Sequence, residues 1–257
     1  MAFDSLAPTY DQDFTASPIA RYLRGRVHTR LSRHFRAGDH VFELGCGTGE
    51  DALYLANRGI HVTATDASEK MLEAARTKTA GNPLVRVERL DLAALPEGQS
   101  ADLNGVFANF GVLNCLSDWR PLAGWLAERI QPGGIAAFGV MSPLCLWEMA
   151  WHGLHGDFRT ATRRLRKTAT FQPDSSGEAM LISYPTIRRL SRDFAPYFKR
   201  VHVEGIGLFL PPSDVFGVVE KRPRLLKVLM SLESRFASLP MLATFADHYW
   251  IEFQRFS

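Results

Sequence analysis

The residues with the strongest claim to chemistry lie at 41–51, where VFELGCGTGED runs from a short apolar strand into a glycine-rich turn and on into a helix. Gly45, Gly47 and Gly49 lack a Cβ, so the turn can take up positive φ and let a ligand lie against bare peptide groups. The helix that follows opens with unpaired N–H donors. A dinucleotide fingerprint, G-x-G-x-x-G, needs glycine at position 50, and Glu50 stands there. Glu50 in the first helical turn and Glu43 just before the glycines would repel a pyrophosphate. They suit a ligand that is cationic or rich in hydroxyl and amino groups. Asp66 follows about 20 residues later, where a carboxylate can accept both hydroxyls of a ribose. Its competing reading is a helix-capping Asp ahead of Ser68.

These residues must be held by an alternation of strands and helices. Ile19, Leu23, Val27, Leu31 and Phe35 recur every four residues, which predicts an amphipathic helix over 17–35. Strands are predicted at 40–44, 60–65, 84–90, 101–108 and 135–140. Helices are predicted between them at 50–58, 68–79 and 118–130, the last stopped by Pro132-Gly133-Gly134. Such units imply an α/β fold with a doubly wound, mostly parallel sheet. After Met141 the rhythm changes. Helices at 143–155 and 157–168 and a short strand at 179–184 make 142–184 a cap inserted after the fifth strand, mainly helical in character. A helix at 186–194, a strand at 201–208, a basic amphipathic helix at 223–238 and a strand at 247–256 complete the sheet with a helical insertion between its last two strands. The organisation read here is 1–141, 142–184 and 185–257.

Composition narrows the function classes. The chain has 257 residues, 46% of them hydrophobic and 22% charged, enough for a full core. A net charge of +3 is too small to imply a polyanionic partner, and no nucleic acid is expected. Cys46, Cys115 and Cys145 form no CxxC or Cys/His cluster, so neither a disulfide framework nor a metal site is expected. The N-terminal stretch has no basic region followed by an apolar one, and the long uncharged run at 133–151 is broken by glycines, Pro143 and Glu148. A cytoplasmic protein without a transmembrane segment is the expectation. Neither a GxSxG turn nor an HExxH signature is present, so hydrolase readings find no support.

On the residues quoted, the sequence resembles the class I S-adenosylmethionine (SAM)-dependent methyltransferases, whose first motif reads E/D-x-G-x-G-x-G. Glu43, Gly45, Gly47 and Gly49 match it in full. Asp66 in ATDAS, Asp91 in ERLDLAALP and QPGGIAAFGV at 131–140 match the later motifs at the expected spacing. FDSLAPTYDQDF near the N-terminus resembles the lid of the small-molecule, quinone-biosynthesis branch. The resemblance implies a seven-stranded Rossmann-like sheet, SAM as cofactor and S-adenosylhomocysteine as its product. It implies that Gly45, Cys46 and Gly47 bind the cofactor in the turn, and that Glu43 orders the turn or approaches the methionine amino group. It sets Asp66 on the ribose, and Ala67 and Met71 along the adenine, a core position being the alternative for Met71. Asp91 and Leu92 would read the adenine amino edge, against a surface turn. Asn109 and Phe110 in ANFGVLNCL would face the methyl, and Tyr10 would close over the methionine end, with an exposed N-terminal turn as its alternative.

Methyl transfer from a sulfonium neutralises charge, so alignment and desolvation can carry much of it and a base is optional. Should the acceptor lose a proton, His152, His155, Tyr184 and His248 are the candidate bases, each with a structural role as its competitor. His61 is predicted to lie in a buried strand with a structural role. The apolar cap residues Leu144, Leu146, Trp147, Met149, Trp151, Leu154 and Phe158, with Phe209 and Leu210, suggest an enclosed apolar acceptor pocket. Basic clusters at 159–167 and 221–227 read as solvated faces; they also permit an anionic acceptor or loose contact with an anionic membrane. The function expected is methyl transfer to a small, apolar metabolite at O, C or N. RNA or protein methylation and a non-catalytic SAM-binding regulator stay open, and the oligomeric state is unspecified.

Overall fold

The computed structural model describes residues 4–97, 102–172 and 179–257. Strands β1 (His40–Leu44), β2 (His61–Asp66), β3 (Val85–Arg89), β4 (Leu103–Ala108), β5 (Ile130–Met141), β8 (Phe198–Ile206) and β9 (His248–Arg255) form one seven-stranded sheet. Its order is β3-β2-β1-β4-β5-β9-β8, with β9 antiparallel to both β5 and β8 and the other pairs parallel. Helices α1 (Pro18–His34), α2 (Glu50–Ala56), α3 (Glu69–Lys78), α4 (Arg120–Ala127) and α7 (Ile187–Phe194) cover the two faces.

The strands alternate between two cores. Phe107, Ala137 and Trp250 pack with Ile19, Leu23, Val27 and Leu31 of α1 on one face. Val106, Phe138, Tyr249 and Ile251 pack with Leu122 and Leu126 of α4 and Leu190 and Phe194 of α7 on the other. This period of two, with both faces apolar, is what a sheet sandwiched between helices requires. The winding reverses between β1 and β4, so the crevice of the fold opens at the C-terminal ends of those two strands. The glycine turn leaves β1 there, and the segment 109–111 leaves β4 beside it.

Two predicted helices differ from the sequence reading. The helix predicted over 118–130 is shorter, Arg120–Ala127, because Pro132, Gly133 and Gly134 lie within β5 rather than ending a helix. A register jump opposite, from Leu103↔Ile130 to Gly105↔Ile135, absorbs the extra residues as a bulge. The helix predicted over 157–168 resolves into a single turn, α6 (Phe158–Ala161), a 3-10 turn (Arg163–Arg166) and a strand, β6 (Thr168–Phe171). β6 pairs antiparallel with β7 (Met180–Ser183), so the segment after β5 holds a hairpin beside its helices, α5 (Leu146–Leu154) and α6. Ala101, at the start of the predicted fourth strand, lies outside the described residues. Helices α8 (Phe216–Glu220) and α9 (Pro223–Phe236) fill the connection between β8 and β9.

Candidate active site

The turn after β1 is shaped by three positive φ angles, +64° at Gly45, +52° at Gly47 and +81° at Gly49. The Cys46 amide donates to the Thr65 carbonyl at 2.7 Å and the Thr65 hydroxyl to the Glu43 carbonyl at 2.7 Å, which fastens the turn to β2. Asp66, at the end of β2, accepts from the Gly47 amide at 2.9 Å with one oxygen and from the Ser68 amide at 2.9 Å with the other. Burial raises its pKa, and the backbone amides of Ser68, Gly47 and Ala67 oppose that. Each carboxylate oxygen keeps a lone pair beyond these bonds.

Glu43 lies beneath the turn, 2% exposed. The Ala52 amide at the start of α2 bonds its carboxyl, while Oε2 is buried with no hydrogen-bond partner among the described residues. Burial, reinforced by the nearby charge of Asp51, lifts its pKa well above the usual carboxylate range. An orphaned buried acceptor of this kind costs stability in the free chain and fits a donor supplied from outside.

A network that the sequence reading did not anticipate closes the crevice. Asp51 is buried and accepts from Arg24 at 2.7 Å and from the Asn109 amide group at 3.0 Å, while its other oxygen lies 2.6 Å from His28 Nε2. Burial opposes ionisation of Asp51, but Arg24 and His28 outweigh it and hold the pKa below the ordinary value. Arg24 stands 5.0 Å over the Phe110 ring. Phe110 itself has φ +49°, a strained value for a non-glycine residue, and its amide bonds Asn109 Oδ1 at 2.9 Å. The available signal was Arg24 and His28 at i and i+4 on α1, facing the acidic first turn of α2.

The N-terminal segment folds over the same turn. The Tyr10 ring comes within 3.9 Å of the point where a Cβ on Gly47 would stand, and it stacks on Phe14 at 5.0 Å. Asp11 accepts from Thr48 at 2.7 Å and pairs with Lys78 at 2.7 Å, anchoring the segment to α3. Ala67 is half-buried just beyond Asp66, and Met71 is buried with its amide bonded to the capping Ser68 hydroxyl. Asp91 accepts locally from the Ala93 amide at 2.9 Å, and Leu92 packs against the second core cluster.

The four candidate bases separate. His152 Nε2 pairs with Asp214 at 3.1 Å, and exposed His155 bonds the Trp151 carbonyl, so neither contacts the crevice residues. Tyr184 is buried, its pKa raised by that burial, with the Arg164 guanidinium 5.6 Å from its ring. His248, at the first position of β9 and in register with Met141 of β5, meets Phe110 edge-on at 5.8 Å. Its Nδ1 lies 3.0 Å from Asp247 Oδ2. Burial works against the charge on Asp247, but His248 and Arg164 keep it ionised. His248 is therefore the candidate whose contacts reach the site. His61, predicted to be buried, is exposed and stacks on His40 at 4.6 Å.

A methyltransferase-domain family matches residues 41–134, the stretch that holds the glycine turn, Asp66, Asp91 and the segment after β4. Residues 41–134 thus resemble a methyltransferase domain. It is 32% identical over 132 residues to a demethylmenaquinone methyltransferase of Clavibacter sepedonicus, covering 51% of this chain and 53% of that one. It is 36% identical over 161 residues to a malonyl-acyl-carrier-protein O-methyltransferase of Pectobacterium atrosepticum, covering 62% and 60%. The chain thus spans about half to three fifths of these relatives. A crystal structure of a SAM-dependent methyltransferase from Clostridium acetobutylicum aligns over 100% of both chains with a TM-score of 0.63 at 12% identity, which is a likeness of fold. SAM is the cofactor that such a domain implies, and the residues present fit it. The orphaned Glu43 oxygen suits a cationic amino group, and Asp66 retains acceptor capacity beside a turn whose Gly47 is bare.

Proposed function

We propose that the chain transfers a methyl group from SAM to a small, largely apolar acceptor. The observation that carries this reading is the pairing of a bare Gly47 with two carboxyl groups, Asp66 and the unpartnered Glu43, on one turn. Glu43 and the glycine turn would hold the methionine end, and Tyr10 would cover it. Asp66 would take the ribose hydroxyls, with Ala67 and Met71 along the adenine and Asp91 and Leu92 at its edge. SAM, when bound, supplies a methyl group activated by its sulfonium. Asn109 and Phe110, held by Asp51 and Arg24, would shape the wall on the methyl side and exclude water from it.

His248 would receive the proton from a protic acceptor. Asp247 would accept a hydrogen bond from the Nδ1–H of His248, the tautomer in which Nε2 carries the lone pair. The segment 142–184 would form the acceptor side, since Arg164 from its 3-10 turn reaches Asp247 at 2.6 Å. Relatives named for demethylmenaquinone and for a malonyl-acyl-carrier protein support an acceptor that is lipophilic or acyl-like.

The test incubates the protein with SAM bearing a labelled methyl group and an extract of lipophilic metabolites. Label passing into a small, solvent-extractable product, and lost with Asp66→Arg, is the expected outcome. SAM binding without transfer to any small molecule would favour a non-catalytic SAM-binding role. Label in RNA or protein would favour a macromolecular acceptor.

A further inference from the structure

The segment between β5 and β7 is built inside out. α5 reads LWEMAWHGL, yet the residue it buries is its carboxylate, Glu148, 1% exposed, while Leu146 and Leu154 are 50% and 86% exposed. α6 buries Ala161 and leaves Phe158 69% exposed. The 3-10 turn then buries Arg164 and turns Leu165 outward. These elements touch one another in sequence, and the hairpin beyond adds exposed Leu181, opposite Thr170. A water-facing amphipathic helix has the opposite polarity, with charge outside and leucine inside.

The inward charges are fully occupied with each other. Glu148 accepts from Arg163 at 2.7 and 2.9 Å and from Arg164 at 2.8 and 3.0 Å, and Arg164 continues to Asp247. Among the described residues of this segment the outward charges are mostly cationic: Arg159, Arg166 and Lys167 are exposed. The exposed carboxylate among them, Asp157, is engaged in capping the Thr160 amide.

We propose that this face docks on an anionic phospholipid bilayer, with Leu154 and Phe158 entering the headgroup–acyl boundary and Arg159, Arg166 and Lys167 meeting lipid phosphates. Apolar tips ringed by cations are the composition of interfacial membrane contacts. A second copy of this chain is a poorer occupant, since a two-fold contact would set the same cations against each other. The inference stands on this segment alone and does not depend on the methyl-transfer reading.

The test is co-sedimentation of the whole chain with phosphatidylcholine vesicles, with and without phosphatidylglycerol. Binding to the anionic vesicles should exceed binding to neutral ones by about tenfold or more and fall as salt is added. Leu154→Ser with Phe158→Ser should remove most of the binding, and Arg159→Glu with Arg166→Glu should abolish the preference for anionic lipid. Thermal melts of both variants establish that they are folded. Absence of wild-type binding, or undiminished binding by the folded Leu154→Ser/Phe158→Ser variant, overturns the proposal. So does a wild-type dimer in light scattering that this variant converts to monomer, because the face would then serve self-association.

Discussion

Alanine substituted separately at Gly45 and Gly47 distinguishes the two reasons for a glycine in the turn. Both positions are left-handed, so either alanine costs about 1–2 kcal/mol in backbone strain. At Gly45 the new Cβ would also meet Val112 Cγ2 at 2.4 Å and Cγ1 at 2.8 Å. Val112 is β-branched and lies in a 3-10 turn just after β4, so it cannot swing aside, and overpacking of this kind adds about 1–3 kcal/mol. At Gly47 the nearest atom is Tyr10 Cε1 at 3.9 Å, an ordinary contact. Gly45→Ala should therefore cost about 2–5 kcal/mol, or roughly 5–15 °C in Tm, and Gly47→Ala roughly 2–6 °C. For SAM affinity the emphasis reverses, because the Gly47 methyl would stand between the turn and the Tyr10 ring, where the methionine end is proposed to lie; a loss of about tenfold or more is expected. The assays are urea and thermal unfolding, with Val112→Ala added to each background. A coupling of about 1–3 kcal/mol should appear between Gly45→Ala and Val112→Ala and none between Gly47→Ala and Val112→Ala. Equal destabilisation by the two alanines, or no rescue by Val112→Ala, would refute the reasoning.

Glu43 provides a second expectation: burial raises its pKa in the free chain and a cationic amino group brought beside it would lower that pKa, so capture of such a group should favour release of a proton. SAM affinity should rise with pH, and calorimetry in buffers of different ionisation heat should register a release that Glu43→Gln lacks; buffer-independent heats would contradict this. Glu252 titrates with the opposite sign. Burial opposes its ionisation, but hydrogen bonds from His34, Arg30 and Trp250 prevail and bring its pKa down to about 2. The depressed pKa contributes about 3 kcal/mol of stability above the unfolded carboxylate range, lost as pH falls toward 2. The stability gap between wild type and Glu252→Gln should therefore shrink by more than half between pH values of about 6 and about 3 in urea unfolding, and a pH-independent gap would contradict it. His248→Gln should lower transfer to a protic acceptor by about a hundredfold with SAM affinity unchanged, and full activity would remove His248 from the mechanism.

Where hydrophobic spacing decides structure, the sequence was readable. The predicted strand 40–44 is β1, and Ser17, Ser68 and Thr186 cap helices by accepting from Ala20, Met71 and Arg189 amides. The glycine turn was legible because its strand, spacing and flanking carboxylates are all local. Pro132-Gly133-Gly134 misled because a stop signal for a helix is also a bulge signal for a strand, and only the partner register at Leu103 and Gly105 decides between them. The apolar residues of 146–158 suggested an enclosed pocket, yet Leu146, Leu154 and Phe158 face outward. The buried charges Glu148, Arg164 and Asp247 find one another across about a hundred residues, which no periodicity encodes. The same holds for Asp51 with Arg24, His28 and Asn109, a network made by tertiary packing.

The most direct test of the glycine turn as a SAM site is calorimetric titration of ligand-cleared, folded protein with SAM, S-adenosylhomocysteine and NAD. The account expects SAM and its product to bind at micromolar levels or tighter and NAD not to bind, with Asp66→Arg abolishing the signal. Absence of SAM binding, or NAD binding in its place, would contradict the account at its centre.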